Sequence, residues 1–387
     1  MWLNLRGVNH QLVKIKNRNL ILKLIYERGS ISRQEISRII GLTPATVTNI
    51  TGELLEDGFI VELPSFEEKA GSGRKAIPLA INPTSGYVIG VDVGPRMIRI
   101  ATSDLLGHLS DIDSFHYDPQ DGEKLPDILI ERLKALKDER NIIGIGIGIP
   151  GLVDSASREL KVSPNLGWRN LKLADPIEDA LELPVAVENN VKAMALAEKW
   201  FGKGKKSNNF VLVYVSLGIG AGIIIDGKIY RGANNGAGEI GHTVVSEDGE
   251  VCNCGKRGCL ETFASARAIV KRFKGTPGDE DTDINEIKIA IEKGDEKARE
   301  IVERAGYYLG VGISNLVNMF DPEMIILSGR VIRLGKVLLE PMRRSLESRL
   351  FSTDRIRIEI SEFGKEIGLY GASALALQRF FYEKEEI

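Results

Sequence analysis

The stretch from Pro184 to Val191, "PVAVENNV", ends an apolar, strand-like run in one carboxylate and two amides. A helical pattern begins directly afterwards, so Asn189 and Asn190 are expected at a strand-to-helix junction, where ligands often bind. A neutral amide exchanges hydrogen bonds with a hydroxyl but does not accept its proton at working pH. Chemistry at this junction would therefore need another proton acceptor. An alternative role for Asn190 is to cap the helix, and this role is compatible with binding.

A second cluster combines one imidazole with every cysteine of the chain: His242, Cys252, Cys254 and Cys259. One imidazole and three thiolates are the donors of a closed, structural zinc site with no open position for water. Gly255 and Gly258 allow the loop to bend so that closely spaced sulfurs meet one ion. This pattern predicts structural Zn²⁺ rather than a disulfide framework, and free or redox-active thiols are the alternative.

The first sixty residues hold three short segments with helical apolar spacing. Their apolar positions are Leu20, Leu24 and Ile25, then Ile36, Ile39 and Ile40, then Val47, Ile50, Leu54 and Leu55. Between the second and third segments, Gly41 suits a left-handed turn, Thr43 a cap and Pro44 a first helical position. These turn residues predict a helix-turn-helix.

The third helix would present short polar or methyl-bearing side chains to a major groove, namely Thr43, Ala45, Thr46, Thr48 and Asn49. Two strand-like runs follow, joined by a Gly-rich tip with Arg74 and Lys75, which predicts a wing that touches the DNA backbone or minor groove. Residues 1–50 carry eight Lys or Arg against two Glu, as expected for a phosphate-bearing partner. A three-helix interaction module without a DNA role is the alternative.

At 387 residues the chain is long enough for two or three domains of roughly 100–200 residues. No stretch reaches the ~18 unbroken apolar residues of a membrane span, and no signal-peptide pattern is present, so we expect a cytoplasmic protein with no membrane partner. After Pro83, strand-like runs such as "GYVIGVDVGPRMIRIATSD" alternate with helical segments near 124–139, 190–201, 295–319 and 368–384. This alternation predicts an α/β fold.

The segments "VSLGIGAGIIIDGKIYRGANNGAGEIGH" and "CNCGKRGCLE", behind a winged helix, resemble the ROK family of sugar kinases and sugar-responsive repressors. The resemblance runs through nearly the whole chain. It implies a winged helix-turn-helix domain at 1–80 and an actin-like, two-lobed sugar-kinase domain at 81–387. The lobes would cover roughly 81–190 plus 368–387, and 191–367, with the sugar in the cleft between them.

Three motifs separate the kinases of this family from its repressors. The first phosphate loop of the kinases reads Asp-x-Gly-Gly-Thr, whereas here Asp92 and Gly94 are followed by Pro95, which has no amide hydrogen, and Arg96. The kinases read Glu-Asn-Asp where this chain ends in Asn190, so the catalytic base is replaced. The third motif, "SLGIGAG", keeps Gly218, Gly220 and Gly222, which is either a relic phosphate loop or a purely structural turn.

The resemblance also assigns the effector site. It implies that Glu239, His242 and Glu261 contact sugar hydroxyls, and Asn189, Asn190 and Asn165 are added to this set. Carboxylates accept hydrogen bonds from paired hydroxyls, and the metal loop would fix them against the cleft. Glu239 and Glu261 as ordinary surface acids are the alternative.

These patterns predict a sugar-responsive transcriptional repressor that is not an enzyme. It would act as a homodimer or tetramer, with two winged helices reading half-sites of an operator. An active ATP-dependent sugar kinase with an attached DNA-binding domain is one alternative, and a regulator that responds to a protein partner is another.

Overall fold

The N-terminal unit is a helix-turn-helix with a small sheet. The computed structural model describes residues 10–64, 76–276, 280–351 and 355–384. In chain order, the unit consists of α1 (His10–Arg28), β1 (Ile31–Ser32), α2 (Arg33–Ile40), α3 (Pro44–Glu56), β2 (Ile60–Glu62) and β3 (Pro78–Ile81). The helices match the three predicted segments, and the predicted boundary at residue 80 falls at the end of β3.

The turn residues between α2 and α3 adopt the predicted conformations. Gly41 ends α2 in the left-handed region (φ 76°), where a glycine carries no Cβ penalty. The Thr43 hydroxyl accepts from the Thr46 backbone N–H at 3.2 Å, and Pro44 is the first residue of α3. Ser32 adds a capping box with Glu35 at the start of α2, which the sequence reading did not include.

A three-stranded antiparallel sheet of order β1-β3-β2 forms the base of the wing. Ile60 of β2 pairs with Ile81 of β3, so the strands run together at their body end. The predicted tip residues Arg74 and Lys75 lie outside the described residues.

The first lobe of the body is built on one mixed sheet. Its elements are β4 (Tyr87–Val93), β5 (Met97–Asp104), β6 (Leu109–His116), α4 (Leu125–Glu139), β7 (Ile142–Ile149), β8 (Leu152–Asp154), β9 (Glu159–Ser163), β10 (Trp168–Lys172), α5 (Ala174–Leu181) and β11 (Val185–Asn189). The sheet has the order β11-β7-β4-β5-β6, parallel from β11 to β4 and antiparallel beyond. The small sheet β10-β9-β8 is separate from it.

The second lobe holds another five-stranded sheet among the described residues. The remaining elements are α6 (Asn190–Trp200), β12 (Phe210–Val215), β13 (Ile219–Ile225), β14 (Lys228–Ile229), α7 (Glu261–Ala264), α8 (Ala266–Lys274), α9 (Glu280–Glu292), α10 (Glu296–Phe320), β15 (Met324–Ser328), α11 (Lys336–Glu347), β16 (Arg357–Ile360) and α12 (Ile367–Leu377). The strand order is β14-β13-β12-β15-β16.

Helices α6 and α12 pack against each other between the two sheets. A Cβ at Gly146 of β7 would lie 2.0 Å from the Ala372 carbonyl of α12, so only glycine lets this helix approach the first sheet. A Cβ at Gly222 of β13 would lie 2.5 Å from Ala195 Cβ of α6. The two helices therefore connect the lobes at their centre, and the predicted α/β architecture is confirmed.

The apolar core of the N-terminal unit continues into the body. Ile21, Leu22 and Ile25 of α1 are fully buried and belong to one cluster with Trp200 and Tyr382. Two of the apolar residues with helical spacing, Leu20 and Ile39, lie outside this core and are 50% and 45% exposed. The helical period is correct, but the buried face of α1 is formed by Ile21, Leu22 and Ile25 and packs against the body.

Five further helices among the described residues, α5, α7, α8, α9 and α11, were not predicted from the sequence. Among the described residues, no helix combines the length and the apolar character that crossing a bilayer requires.

Candidate functional site

The predicted strand-to-helix junction exists, and its cap is Asn189. The Asn189 side-chain oxygen accepts from the backbone N–H groups of Val191 (3.0 Å) and Lys192 (3.1 Å), and its amide nitrogen donates to the Gly151 carbonyl at 2.9 Å. Asn190 is the first residue of α6 and its side-chain oxygen accepts from Val191 N–H at 3.0 Å. The capping role considered for Asn190 thus belongs mainly to Asn189, and the Asn190 side chain is half-buried.

Glu239 lies at the end of the second-lobe loop 231–239, close enough to Lys192 of α6 for their charges to interact. Its side chain is exposed toward the cleft, yet the surrounding walls raise the pKa of its carboxyl by partial desolvation, while His242 and Lys192 oppose this shift. Glu261 lies close enough to add to it. The structure therefore brings Glu239, His242 and Glu261 together, as predicted.

Asn165 approaches Glu261 from the opposite lobe. A Cβ placed on Gly218 would lie 2.5 Å from Glu261 Oε2 and 3.6 Å from Asn165 Nδ2. Glu261 is buried, and its Oε2 accepts from the Ile219 backbone N–H at 3.1 Å. The exposed Asn165 amide and the Glu261 carboxylate thus lie on either side of the space above Gly218.

The predicted metal ligands converge. The donor atoms of His242, Cys252, Cys254 and Cys259 all lie within 4.8 Å of one another. Cys254 and Cys259 sulfurs are 3.6 Å apart, and Cys252 sulfur is 3.6 Å from His242 Nδ1. Burial, followed by neighbouring thiols, raises the pKa of Cys259 to about 12, so a thiolate there needs a cation to stabilise it. These four residues could hold a metal ion.

The glycines of the predicted second phosphate loop have packing roles. A Cβ at Gly220 would lie 3.0 Å from Val191, and a Cβ at Gly222 would collide with Ala195. Both glycines therefore allow α6 to pack closely against β13. Gly218 leaves room for Glu261. These contacts support the structural alternative for "SLGIGAG".

The first phosphate loop is a tight turn between β4 and β5. Gly94 N–H donates to the Met97 carbonyl at 2.9 Å, and Arg96 is exposed. Asp92 is paired across the strands with Arg99, and desolvation raises its pKa to about 6 despite that cation. The Asp92 carboxylate thus lies in an enclosed part of the cleft rather than on an open phosphate cradle.

The predicted DNA-contacting side chains occupy one face of α3. Thr43, Ala45, Thr48 and Asn49 are exposed, Thr46 is half-buried against Thr43, and Val47, Ile50 and Leu54 of the same helix are buried. An exposed polar face backed by an apolar one is the geometry of a recognition helix.

Two sets of residues were missed by the sequence reading. Lys192 ties α6 to the loop that ends at Glu239, and Arg231 ties the same loop to Glu188 of the first lobe. Tyr26, Trp200 and Tyr382 join α1 to the body. Their partners are distant in sequence, so no local pattern marks them. Among these residues, only Lys192 could have been noticed in the sequence, because a lysine at an apolar position of a helix is unusual.

Together, the fold and the site define a two-lobed, kinase-like cleft with a DNA-binding module attached to it. The sequence profile described as "ROK family" matches residues 88–379, and the one described as "Winged helix-turn-helix DNA-binding" matches residues 16–61. The chain belongs to the ROK family.

Its relatives place it in the branch of sugar-responsive, DNA-binding repressors. A xylose repressor of Caldicellulosiruptor bescii is 35% identical over 95% of this chain and 97% of its own. The transcriptional dual regulator NagC of Escherichia coli is 32% identical over 91% of this chain and 89% of its own. A crystal structure of a ROK family regulator, a homologue of E. coli Mlc, superimposes with a TM-score of 0.82 at 30% identity, covering 96% of this chain and 97% of its own.

Proposed function

We propose that this repressor holds operator DNA with α3 and the wing and releases it when a sugar binds between the lobes. The observation that carries the proposal is the path of α6, which begins at Asn190 in the cleft and ends at Trp200 against α1. The relative named for xylose is 35% identical and the one named for N-acetylglucosamine metabolism is 32% identical, so xylose is the first effector to test.

Side chains on both lobes suit a polyhydroxylated ligand. Asn165 and Asn190 offer amides from the first lobe side, and Glu239 and Glu261 offer carboxylate oxygens from the second. His242 has two ring nitrogens, so Nδ1 can serve the cysteine cluster while Nε2 faces a hydroxyl. A sugar bridging these groups would stabilise one arrangement of the lobes.

We propose binding without turnover. Phosphoryl transfer to a hydroxyl needs a group that accepts its proton, and the Asn190 amide does not. Pro95 removes one backbone donor from the first phosphate turn, and Gly220 and Gly222 are used for helix packing.

The link to DNA runs through α6. Its 11 residues span about 16 Å at ~1.5 Å per residue, which carries a displacement from the cleft to the N-terminal unit. At its end, the Tyr26 hydroxyl donates to the Trp200 carbonyl at 2.8 Å, and Tyr26, Trp200 and Tyr382 form a ring cluster with centroids 4.9–5.3 Å apart. A shift of α6 would therefore reorient α1.

The metal proposed for the cysteine cluster is Zn²⁺. Four zinc ligands at ~2.3 Å for sulfur form a tetrahedron with edges near ~3.8 Å, which the 3.6 Å sulfur spacing fits. The ion would be structural. Cys259 lies two residues before Glu261, and His242 three residues after Glu239, so a closed site here would fix both carboxylates.

Operator recognition would use a symmetric homodimer or tetramer in the cytoplasm, where the DNA is. A two-fold axis relating two copies of α3 would match the two half-sites of an operator.

The test is anisotropy of labelled DNA taken from upstream of this gene and its neighbours. Protein is titrated first, and xylose, glucose, N-acetylglucosamine and their phosphates are then added with and without ATP. Release by one sugar without ATP supports the proposal. Sugar-dependent ADP release would establish the kinase alternative. Tight DNA binding that no sugar alters would reject a sugar effector and favour a protein partner.

A further inference from the structure

Lys192 is a lysine enclosed between the lobes. It is the third residue of α6 and only 2% exposed, so a charged amine has been placed among protein atoms at the wall of the cleft. Its Nζ donates to the backbone carbonyl of Asn235, in the second-lobe loop 231–239 that ends at Glu239. Burying an ammonium group is costly unless it is paired, so its position indicates a specific role.

A second bond joins the same loop to the same junction. Arg231 Nε donates to Glu188 Oε2 at 2.7 Å, and the fully buried Glu188 uses Oε1 to accept from the Asn189 backbone N–H at 2.9 Å. The loop is therefore attached at its first residue to Glu188 of the first lobe and at its midpoint to α6. We call these two contacts, Lys192–Asn235 and Arg231–Glu188, the clasp.

The charges of the clasp balance locally. Burial lowers the pKa of Lys192, while the carboxylates of Glu188 and Glu239 oppose the shift. The loop is also fixed to its own lobe, because Ala221 N–H donates to the Gly238 carbonyl at 2.8 Å and Gly238 has φ 92°. On the N-terminal side of Glu239, Gly238 is fixed and Asn235 is tied to α6. On its C-terminal side, the short helical turn Ile240–His242 follows directly. Little conformational freedom is therefore left for the Glu239 backbone.

We infer that Lys192 is a positioning residue for the effector: through the clasp it sets the distance between Asn190 on α6 and Glu239 on the loop. The inference rests on the proposed function and extends it to how hydroxyl positions are discriminated. Glu239 can report the position of a hydroxyl only if the carboxylate is already in place. A loop that must be ordered on binding lowers affinity for every sugar and reduces discrimination between epimers.

The test compares Lys192→Met with Lys199→Met. Lys199 is on the same helix, and its Nζ also donates to a backbone carbonyl, that of Ser207 at 2.8 Å, but away from the cleft. Hydrogen–deuterium exchange of loop 231–239 is measured first, in sugar-free protein. Calorimetry then gives the dissociation constants for xylose, ribose and lyxose. If a different sugar releases the DNA, that sugar and its epimers are used instead. Arg231→Met and Arg231→Lys provide a second pair of variants, one that removes the charge and one that keeps it. Arg231 is half-exposed, so these substitutions disturb the core less.

We expect Lys192→Met to increase exchange in loop 231–239 and to weaken binding of the preferred sugar about tenfold, with a smaller ratio between epimers. Lys199→Met should do neither, and Arg231→Lys should restore most of what Arg231→Met loses. Unchanged exchange in Lys192→Met, or a full epimer ratio in both Lys192→Met and Arg231→Met, would overturn the inference. If wild-type protein responds to no sugar, the proposed function fails, and the exchange measurement still decides whether the clasp orders the loop.

Discussion

The Tyr26 hydroxyl donates to the Trp200 carbonyl at 2.8 Å, and this bond joins the first helix of the DNA-binding unit to the last residue of α6. The other end of α6 lies in the cleft. A hydrogen bond of this kind contributes about 1 kcal/mol, which is a substantial fraction of the ~1–3 kcal/mol that typically couples two sites.

Tyr26→Phe should therefore reduce the change in DNA affinity caused by the effector by about fivefold. The sugar's own dissociation constant from protein alone should change little, because Tyr26 is far from the cleft. The measurement is DNA anisotropy with and without saturating sugar. Tyr117→Phe is the control, since it loses an equivalent bond to the Gly94 carbonyl (2.7 Å) without contacting α1. Equal coupling in both variants would exclude a role for the Tyr26 bond.

Asn49→Ala and Arg74→Ala/Lys75→Ala should weaken DNA binding in different ways. Asn49 is exposed on α3, where an amide can read a base edge, so its loss should cost ~1–3 kcal/mol and relax specificity at one position. The wing residues are expected to contact phosphates. Their removal should weaken binding to all sequences alike and lower the salt dependence by about one ion per contact. A salt series on operator and scrambled DNA separates the two; a wing variant that binds both like wild type would remove the wing from the interface.

The helix-turn-helix was predictable because its determinants are local. Gly41, Thr43 and Pro44 each act within one turn of the chain, and their conformations follow from residue type alone. The convergence of His242, Cys252, Cys254 and Cys259 was also predictable, because the three cysteines lie within eight residues and one imidazole with three thiols is the donor set of a structural zinc site. The wing base followed from two strand-like runs, although the short strand β1 that completes it did not.

Other features depend on partners distant in sequence. Lys192 meets Asn235 and Tyr26 meets Trp200, separations of 43 and 174 residues that no periodicity reveals. The cap of α6 was placed one residue late, since Asn189 and Asn190 are chemically identical and only the backbone geometry separates them. For Gly222 both phosphate binding and a structural turn stayed open, because the helix at 190–201 was predicted but its packing against this strand has no local signal.

Cys254→Ser should abolish stoichiometric metal binding. Purified wild-type protein is expected to hold one zinc ion per chain by elemental analysis, and the exposed Cys254 is the ligand whose replacement disturbs packing least. Because ligand binding to the folded state stabilises it, the variant and the chelated wild type should both melt at lower temperature. Lys256→Met, an exposed change in the same loop, should keep the metal. Wild-type protein prepared without chelator and free of zinc would contradict the assignment.

Asp92→Asn should stabilise the protein more at neutral pH than in mild acid. Desolvation raises the Asp92 pKa from 3.8 to about 6, so its ionisation opposes folding. That cost is absent well below the ordinary pKa, grows through the window between the two values and is complete well above about 6, where it amounts to at most ~3 kcal/mol. About half of the cost is already present at pH 5, so the gain in melting temperature for Asp92→Asn should be about twice as large at pH 8 as at pH 5.

The control for this pH trend is Asp111→Asn. The Thr102 hydroxyl lowers the pKa of Asp111, so its favourable contribution is already present above its ordinary pKa and is lost only in stronger acid. The difference between Asp111→Asn and wild type should be the same at pH 5 and pH 8. An equally flat difference for Asp92→Asn would mean that Asp92 ionises without cost.

Asn189→Ala and Asn190→Ala should separate stability from binding. Asn189 caps α6 with two accepted hydrogen bonds, so its loss should lower the unfolding free energy by about 1 kcal/mol. Asn190 makes one local bond through its side-chain oxygen, so its loss should spare the melting temperature while weakening sugar binding about tenfold. Thermal melts and calorimetry on both variants give the comparison. If Asn190→Ala binds sugar like wild type, the amide at the place of the kinase base has no part in the effector site, and the cleft must hold its ligand through Glu239, Glu261 and Asn165 alone.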